Sequence, residues 1–272
     1  MPFLSRQYAF ICRHERTLAY LLAFLTVLAC WVIILTTGER VKSADEPDFL
    51  SIAQSLAFHG TYAEEGTLTA YRAPGLVFFM TPFVKAGAGL VGVRLANAVL
   101  VGLSLILMYH LVRRHASAPA GVLTVAMIPL WPVVVYSATT IYPQTLATFL
   151  LILSLFLIDE MGSRSWAPAP AGLAYGALIL TIPIALLLLP IYVLWISWRS
   201  QRRWVQIFVF CLVSGLVTSA WTARNYVAFG AFIPVATSSG YNLMAGNAPD
   251  ARYDTSLSVT FPKYVYTELT GA

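Results

Sequence analysis

The chain reads as an all-α integral membrane protein: seven spans, with two further short juxtamembrane helices in the first outer loop. Three observations predict this. Hydrophobic residues make up 58% of the 272 and charged residues only 11%, less than half of the roughly 25% usual in soluble domains. The apolar residues gather into runs close to the ~20 residues that a helix needs to cross a bilayer. Lys and Arg sit at the ends of those runs with a one-sided bias, as membrane topology requires.

The first run, 18–36, follows Arg6, Arg13 and Arg16. It exceeds the ~7–15 residues of a signal-peptide core and has no A-x-A cleavage site before Asp45, so it is a retained helix. Further runs cover 90–112, 119–138, 140–158 and 204–221. Between the last two lies 168–198, interrupted at Thr181-Ile182-Pro183. As a hairpin of two short helices it brings the number of spans to seven and keeps the N-terminus cytoplasmic. Arg113, Arg114, Arg164, Arg199, Arg202 and Arg203 then all face the cytoplasm, and the turns near 139–144 and 181–183 carry no Lys or Arg. A single span there would place one basic group outside, against the positive-inside bias. Nine of the twelve Asp and Glu residues fall in two outer segments, 37–89 and 224–272. Solvation alone makes outer loops acidic, so this asymmetry locates the polar surface and nothing finer. The chain thus divides into a membrane module, 1–222, and an extracytoplasmic segment, 223–272.

The first outer loop, 37–89, has its own order. Phe49, Ile52, Ala53, Leu56 and Ala57 recur on one face of a helix over 47–58, with Pro47 in its first turn and His59-Gly60 as its stop. So short an amphipathic helix is expected to lie flat at the interface, apolar side down. Residues 74–84 are nearly all apolar but too short to span, and Lys85-Ala86-Gly87-Ala88-Gly89 ends them. They form a second juxtamembrane helix, since a crossing there would reverse every later span.

Other functional classes fall away. The net charge of +5 comes from basic residues at helix ends, where lipid head groups account for them better than nucleic acid does. Cys12, Cys30 and Cys211 fall in membrane or cytoplasmic segments and imply no disulfide framework. Walker loops, dinucleotide glycine motifs and His-Glu-x-x-His zinc helices are absent from the sequence, which disfavours nucleotide hydrolysis, redox and zinc-protease chemistry. What remains is a polar site on a lipid-immersed scaffold: the adjacent carboxylates Asp45 and Glu46, and Arg72 before an Ala-Pro-Gly turn.

The order of a basic N-terminus, one helix, Ala44-Asp45-Glu46-Pro47-Asp48-Phe49, Ser51-Ile52-Ala53-Gln54-Ser55-Leu56, Ala70-Tyr71-Arg72-Ala73-Pro74-Gly75 and Val93-Arg94-Leu95-Ala96-Asn97 resembles the polyprenyl-phosphate-dependent glycosyltransferases of the GT-C superfamily. The branch it is most similar to is glycosyltransferase family 39, the protein mannosyltransferase and aminoarabinose transferase type. Trp221-Thr222-Ala223-Arg224-Asn225-Tyr226 and the stretch from Phe229 to Asn247 resemble the segment after the seventh helix of bacterial members. Each motif is common by itself; their order on a seven-helix topology carries the likeness.

The resemblance implies a GT-C type seven-helix module in the bacterial inner (plasma) membrane. It would transfer a sugar, on the extracytoplasmic face, from a polyprenyl-phosphate donor to a hydroxyl of a lipid, glycan or protein acceptor. Such a reaction needs a base for the acceptor proton, charge stabilisation for the leaving phosphate and a groove for the lipid tail. The family's acidic residue at the catalytic centre maps to Asp45, with Glu46 beside it, and the pair offers hard oxygens to a divalent cation, Mg or Mn. Asp45 is equally a helix N-cap, with Pro47 behind it. Arg72 presents a forked donor to phosphate, or anchors to lipid head groups. Arg94 and Arg224, at outer helix ends, either converge on the same anion or snorkel to the interface. Tyr71 and Tyr241 either stack on the sugar or belong to the interfacial aromatic belt, and Asn247 completes the set of substrate-binding candidates.

The sequence also departs from the pattern. Where many relatives have a Glu, it has Gln144, and where they have Lys or Arg before a proline, it has Ile182. Gln144 cannot serve as a base and Ile182 cannot bind phosphate, which weighs against a standard metal-assisted mechanism. Relatives are longer, and Leu269-Thr270-Gly271-Ala272 falls in the second outer loop, as expected of a truncated product or a fragment holding the shared module. Two other readings stand beside the enzyme. One is a non-catalytic lipid-phosphate-binding or assembly subunit of cell-envelope glycan synthesis. The other is a transporter, for which the paired repeats and mid-membrane charges are missing.

Overall fold

The computed structural model describes residues 2–162, 164–238, 240 and 247, with side chains from residue 11 onward. It is an all-α multi-pass membrane protein. Among the described residues four helices are long and apolar enough to cross a bilayer: α1 (Pro2–Thr37, with a break at His14), α4 (Gly89–His115), α7 (Pro143–Glu160) and α10 (Arg203–Phe229). A fifth span exists if α5 (Ala118–Met127) and α6 (Pro132–Ala138) are one broken crossing. Shorter apolar helices fill the rest: α8 (Pro168–Thr181) and α9 (Leu189–Arg199), joined by a 3-10 segment, Pro183–Leu188. Leu25, Val32, Leu35, Phe208 and Leu216 are exposed on α1 and α10, as lipid-facing residues of a bundle should be.

The first outer loop folds into α2 (Glu46–His59), a two-residue hairpin of β1 (Ala63–Glu64) and β2 (Thr67–Leu68), and α3 (Pro74–Lys85). Glu65 and Gly66 both have positive φ, 49° and 83°, the geometry that a tight two-residue hairpin demands. The expected bounds of the two juxtamembrane helices, 47–58 and 74–84, agree to within a residue. Their setting differs, because Phe49, Ile52 and Ala53 are buried in one core with Leu76, Val77 and Met80 of α3. The amphipathic stripe of α2 is covered by protein rather than by the bilayer surface.

The expected single run over 119–138 is not one helix. Pro129 and Pro132 remove two backbone donors and crowd the preceding turns, so α5 ends in a 3-10 turn, Ile128–Leu130, and α6 leaves it at 72°. The break at Thr181-Ile182-Pro183 falls where the sequence puts it, and the Tyr175 hydroxyl donates to the Ala185 carbonyl at 2.9 Å to satisfy the irregular segment. Packing is close where glycines permit it. A Cβ on Gly172 would stand 2.6 Å from the Phe210 carbonyl oxygen and one on Gly176 2.8 Å from Val217, so a small-xxx-small face seats α8 on α10.

Helix ends meet at two poles. At one, Arg113 pairs with Glu15, Arg114 with Asp159 and Glu160, His115 and Arg199 with Asp159, and Arg164 with Glu160. This joins α1, α4, α7 and α9 through charges. At the other, Arg94 donates to the carbonyls of Gly38 and Arg40, Lys42 to that of Thr139 and Asn97 to that of Thr140. Gly75 belongs to this second pole. A Cβ there would come within 2.8 Å of the Thr181 backbone, so the Ala-Pro-Gly turn brings α3 directly against the end of α8.

Candidate functional site

The two adjacent carboxylates separate as soon as α2 begins. Successive helical residues point about 100° apart, so Glu46 turns inward while Asp45 and Asp48, three residues on, share the outward side. Asp45 occupies the N-cap position of α2, yet its side chain makes no capping bond. It accepts instead from Arg72 Nη2 at 2.6 Å, and Asp48 accepts from that same nitrogen at 2.6 Å. Two carboxylates thus converge on a single guanidinium atom.

Arg72 is aimed by the strap that carries it. Tyr62 donates its hydroxyl to the Arg72 carbonyl at 3.0 Å, and the Thr69 hydroxyl accepts from the Tyr71 amide at 3.0 Å. The guanidinium lies over the rings of Phe49 and Tyr71, 5.2 and 5.1 Å from their centroids, at distances that favour cation–π attraction. Burial opposes its charge, but the hydrogen bonds it donates to Asp48 and Asp45, with the charges of those carboxylates, outweigh this and hold Arg72 above the usual arginine range. Its Nε is buried without a hydrogen-bond partner among the described residues. Nearby, burial first and the Asp48 charge second push the Glu64 carboxyl up, against the pull of Arg72. Burial likewise drives the Tyr62 hydroxyl above its ordinary value.

Glu46 and Arg94 take other parts. Both side chains are fully buried and paired at 2.9 Å. Glu46 Oε2 also accepts from the Lys42 amide at 2.7 Å, and Oε1 from the Ile141 amide at 2.8 Å. The pair therefore locks α2, α4 and the turn before α7 together. Glu46 and Arg94, expected beside the substrate, are in this structure fully buried and paired with each other. Lys42 feels the same assembly: burial, then the Arg94 charge, lower its pKa against the opposing pull of Glu46.

Arg224 is spent on backbone. It donates to the carbonyls of Thr69 and Tyr62, each at 3.0 Å, and lies between the rings of Tyr62, Trp221 and Phe229. It clasps the end of α10 onto the hairpin strap, and the three arginines do not converge on one anion. Asn247 is exposed, and Tyr241 lies outside the described residues, as does most of the second outer segment beyond residue 238.

A divalent cation does not fit the carboxylates proposed for it. The oxygens of Glu46 are taken by Arg94, Lys42 and Ile141, and Asp45 is held by Arg72. Among the described residues no group of three or more His, Cys, Asp or Glu side chains is placed to hold a metal. The two carboxylates are turned to different arginines, Asp45 to Arg72 and Glu46 to Arg94, so they do not face one ion together.

Asp48, Glu64 and Tyr62 escaped the sequence reading as site residues. The Asp45/Asp48 spacing of three was the available signal for the first, since it puts both on one helical side. Glu64 and Tyr62 arrive through the hairpin, which only a Glu-Gly turn announced. No family model, curated protein or solved structure matches this chain.

Proposed function

We propose that the chain is a GT-C type membrane glycosyltransferase that uses a polyprenyl-phosphate sugar as donor and a hydroxyl of a lipid, glycan or protein as acceptor. The observation that carries this reading is the Asp45–Arg72–Asp48 cluster, partly exposed at one pole of an apolar bundle. It sets a carboxylate base beside a forked cation, the two groups that displacement at a sugar phosphate requires. Asp45 takes the acceptor hydroxyl proton as the acceptor oxygen bonds to the anomeric carbon. The anomeric C–O bond to phosphate breaks with its electron pair going to the phosphate oxygen. Arg72 keeps Nη2 on the two carboxylates and offers the exposed part of its guanidinium to the leaving phosphate, so positioning and charge stabilisation come from one residue. Tyr71 flanks that phosphate, Arg224 holds the strap, and Glu46 with Arg94 fixes where α2 starts.

This reading takes the bundle as seven crossings, with α5–α6 as the third and α8 and α9 as the fifth and sixth. Thr181 lies against Gly75 at the site pole and Arg199 against Asp159 at the other, which supports an out-and-back path for that hairpin. The basic pole then faces the cytoplasm of a bacterial inner membrane and the site faces outward. In a variant lacking Cys12, Cys30 and Cys211, a cysteine at the exposed hairpin position Thr67 is expected to react with a membrane-impermeant thiol reagent in intact cells. One at Gln201 should react only after permeabilisation. Labelling of both from outside would overturn the orientation.

The reaction itself is tested by sugar transfer in vitro, with the purified chain in liposomes and a panel of polyprenyl-phosphate sugars. Arg72→Ala is expected to weaken donor binding by about 2–3 kcal/mol, the range for a charge-assisted hydrogen bond. Arg72→Lys should recover only part, because an ammonium lacks the fork. Equal donor affinity in all three proteins would remove Arg72 from the phosphate site. Donor binding with no transfer to any acceptor would favour the non-catalytic lipid-phosphate-binding reading, which the prior engagement of Asp45 by Arg72 also accommodates.

A further inference from the structure

The strap that carries Arg72 is held at four consecutive carbonyls. Thr69 accepts from Arg224 Nη1 at 3.0 Å, Ala70 from the Thr237 amide at 2.9 Å, Tyr71 from the Ser238 amide at 3.3 Å and Arg72 from the Tyr62 hydroxyl at 3.0 Å. The two middle donors come from the chain beyond α10. They reach the strap because that chain turns back on leaving the helix: Gly230 ends α10 in the left-handed region, φ 65°, with its amide on the Tyr226 carbonyl at 2.9 Å.

Three side chains of the last turns of α10 then hold the returning backbone. Trp221 Nε1 donates to the Val235 carbonyl at 2.8 Å and the Thr222 hydroxyl to that of Pro234 at 2.8 Å. Asn225 Nδ2 donates to both Ile233 and Val235, at 3.1 and 3.2 Å. Asn225 is the centre of this grip. It has no exposed surface, and its Oδ1 accepts from Arg224 Nη1 at 3.0 Å, so both ends of its amide are used. A carboxamide suits the place because it brings two N–H donors into a buried position without bringing a charge.

We infer that Asn225 is a positioning residue for Arg72. By fixing residues 233–235 it sets the register in which Thr237 and Ser238 meet the strap, and so where the guanidinium stands between Asp45 and Asp48. Arg224 and Asn225, neighbours in the sequence, hold the strap by two routes, one direct and one through the returning chain. The outer end of α10 thereby belongs to the site, although Asp45, Asp48 and Arg72 all come from the first outer loop. The consequence for a bound phosphate rests on the role proposed above for Arg72; the hold on the strap does not.

The test uses the full chain in nanodiscs with two readouts: hydrogen–deuterium exchange of segments 62–72 and 233–238, and affinity for a polyprenyl phosphate carrying no sugar. Asn225→Leu keeps a similar volume and loses both donors. It is expected to raise exchange at least about 10-fold in both segments while α4 and α7 stay protected, and to weaken polyprenyl phosphate binding about 5- to 10-fold. In an Arg72→Ala background the same substitution should change affinity less than about 2-fold, because the group that it positions is gone. Thr237→Pro, which removes the donor to Ala70 without touching α10, should reproduce the strap exchange and the affinity loss, and it decides if Asn225→Leu does not fold. Strap exchange unchanged by these substitutions overturns the proposal. So does an affinity loss of equal size with and without Arg72, since Asn225 would then support the fold at large. Released strap exchange, with no effect of Arg72→Ala itself on affinity, would remove Arg72 from the phosphate site and leave the hold of Asn225 on the strap supported.

Discussion

Arg94→Met is expected to destabilise the folded protein by about 3–5 kcal/mol, the cost of leaving one member of a buried ion pair without the other. Arg94 has no exposed surface, and its guanidinium ties Glu46, Gly38 and Arg40 to α4. Methionine fills much of the same space without those donors, leaving Glu46 with two backbone amides and an uncompensated charge. The double variant Arg94→Met, Glu46→Gln removes that charge and should regain at least about 2 kcal/mol, so the cycle isolates the pair. Unfolding in detergent, followed by thermal denaturation of the four proteins in the cycle, reads both effects. An Arg94→Met protein as stable as the parent would show that the pair does not hold the loop.

Asp45→Asn is expected to lower sugar transfer at least ~100-fold, the low end for removing a general base, while leaving the fold intact. The structural cost is small because Asp45 makes no bond to the α2 amides and its pair with Arg72 is a third exposed, a setting worth about 1 kcal/mol at most. Asp48→Asn also loses a bond to Arg72 but, in the proposed reaction, leaves the base in place, so a reduction below ~10-fold is expected there. The measurements are turnover at saturating donor together with donor affinity, which should change less than turnover in Asp45→Asn. Near-normal turnover in Asp45→Asn would mean that the base lies elsewhere. Asp48 and the half-buried Glu64 would then be the carboxylates to examine.

Both expectations turn on residues that sit side by side in the sequence and do opposite things. Asp45 and Glu46 looked like a single acidic pair, or a cap with a neighbour. The helical rotation between them sends Glu46 into a sealed lock with Arg94 and leaves Asp45 at the surface with Arg72. Nothing in a linear reading distinguishes the two, because the partner that decides each lies 27 or 48 residues away. The same distance hid Asp48, whose role as second acceptor for Arg72 becomes visible only when the strap after the hairpin folds back over α2.

By itself the sequence determined the class, most helix positions and the polar pole. Hydrophobic run length, the interruption at Pro183, the amphipathic spacing of α2 and the placement of charge at run ends are local or compositional signals, and local signals survive folding. Tertiary structure decided the rest. The 72° bend at Pro129 and Pro132 depends on whether neighbouring helices follow a kink or part from it. The stripe on α2 was legible as apolar, but whether lipid or α3 would cover it was a question of packing. Side-chain partnership is the property least written in the chain: an arginine at a helix end binds phosphate, snorkels, clasps carbonyls or seals a carboxylate according to what the fold brings within about 3 Å of it, and Arg72, Arg94 and Arg224 have three different surroundings.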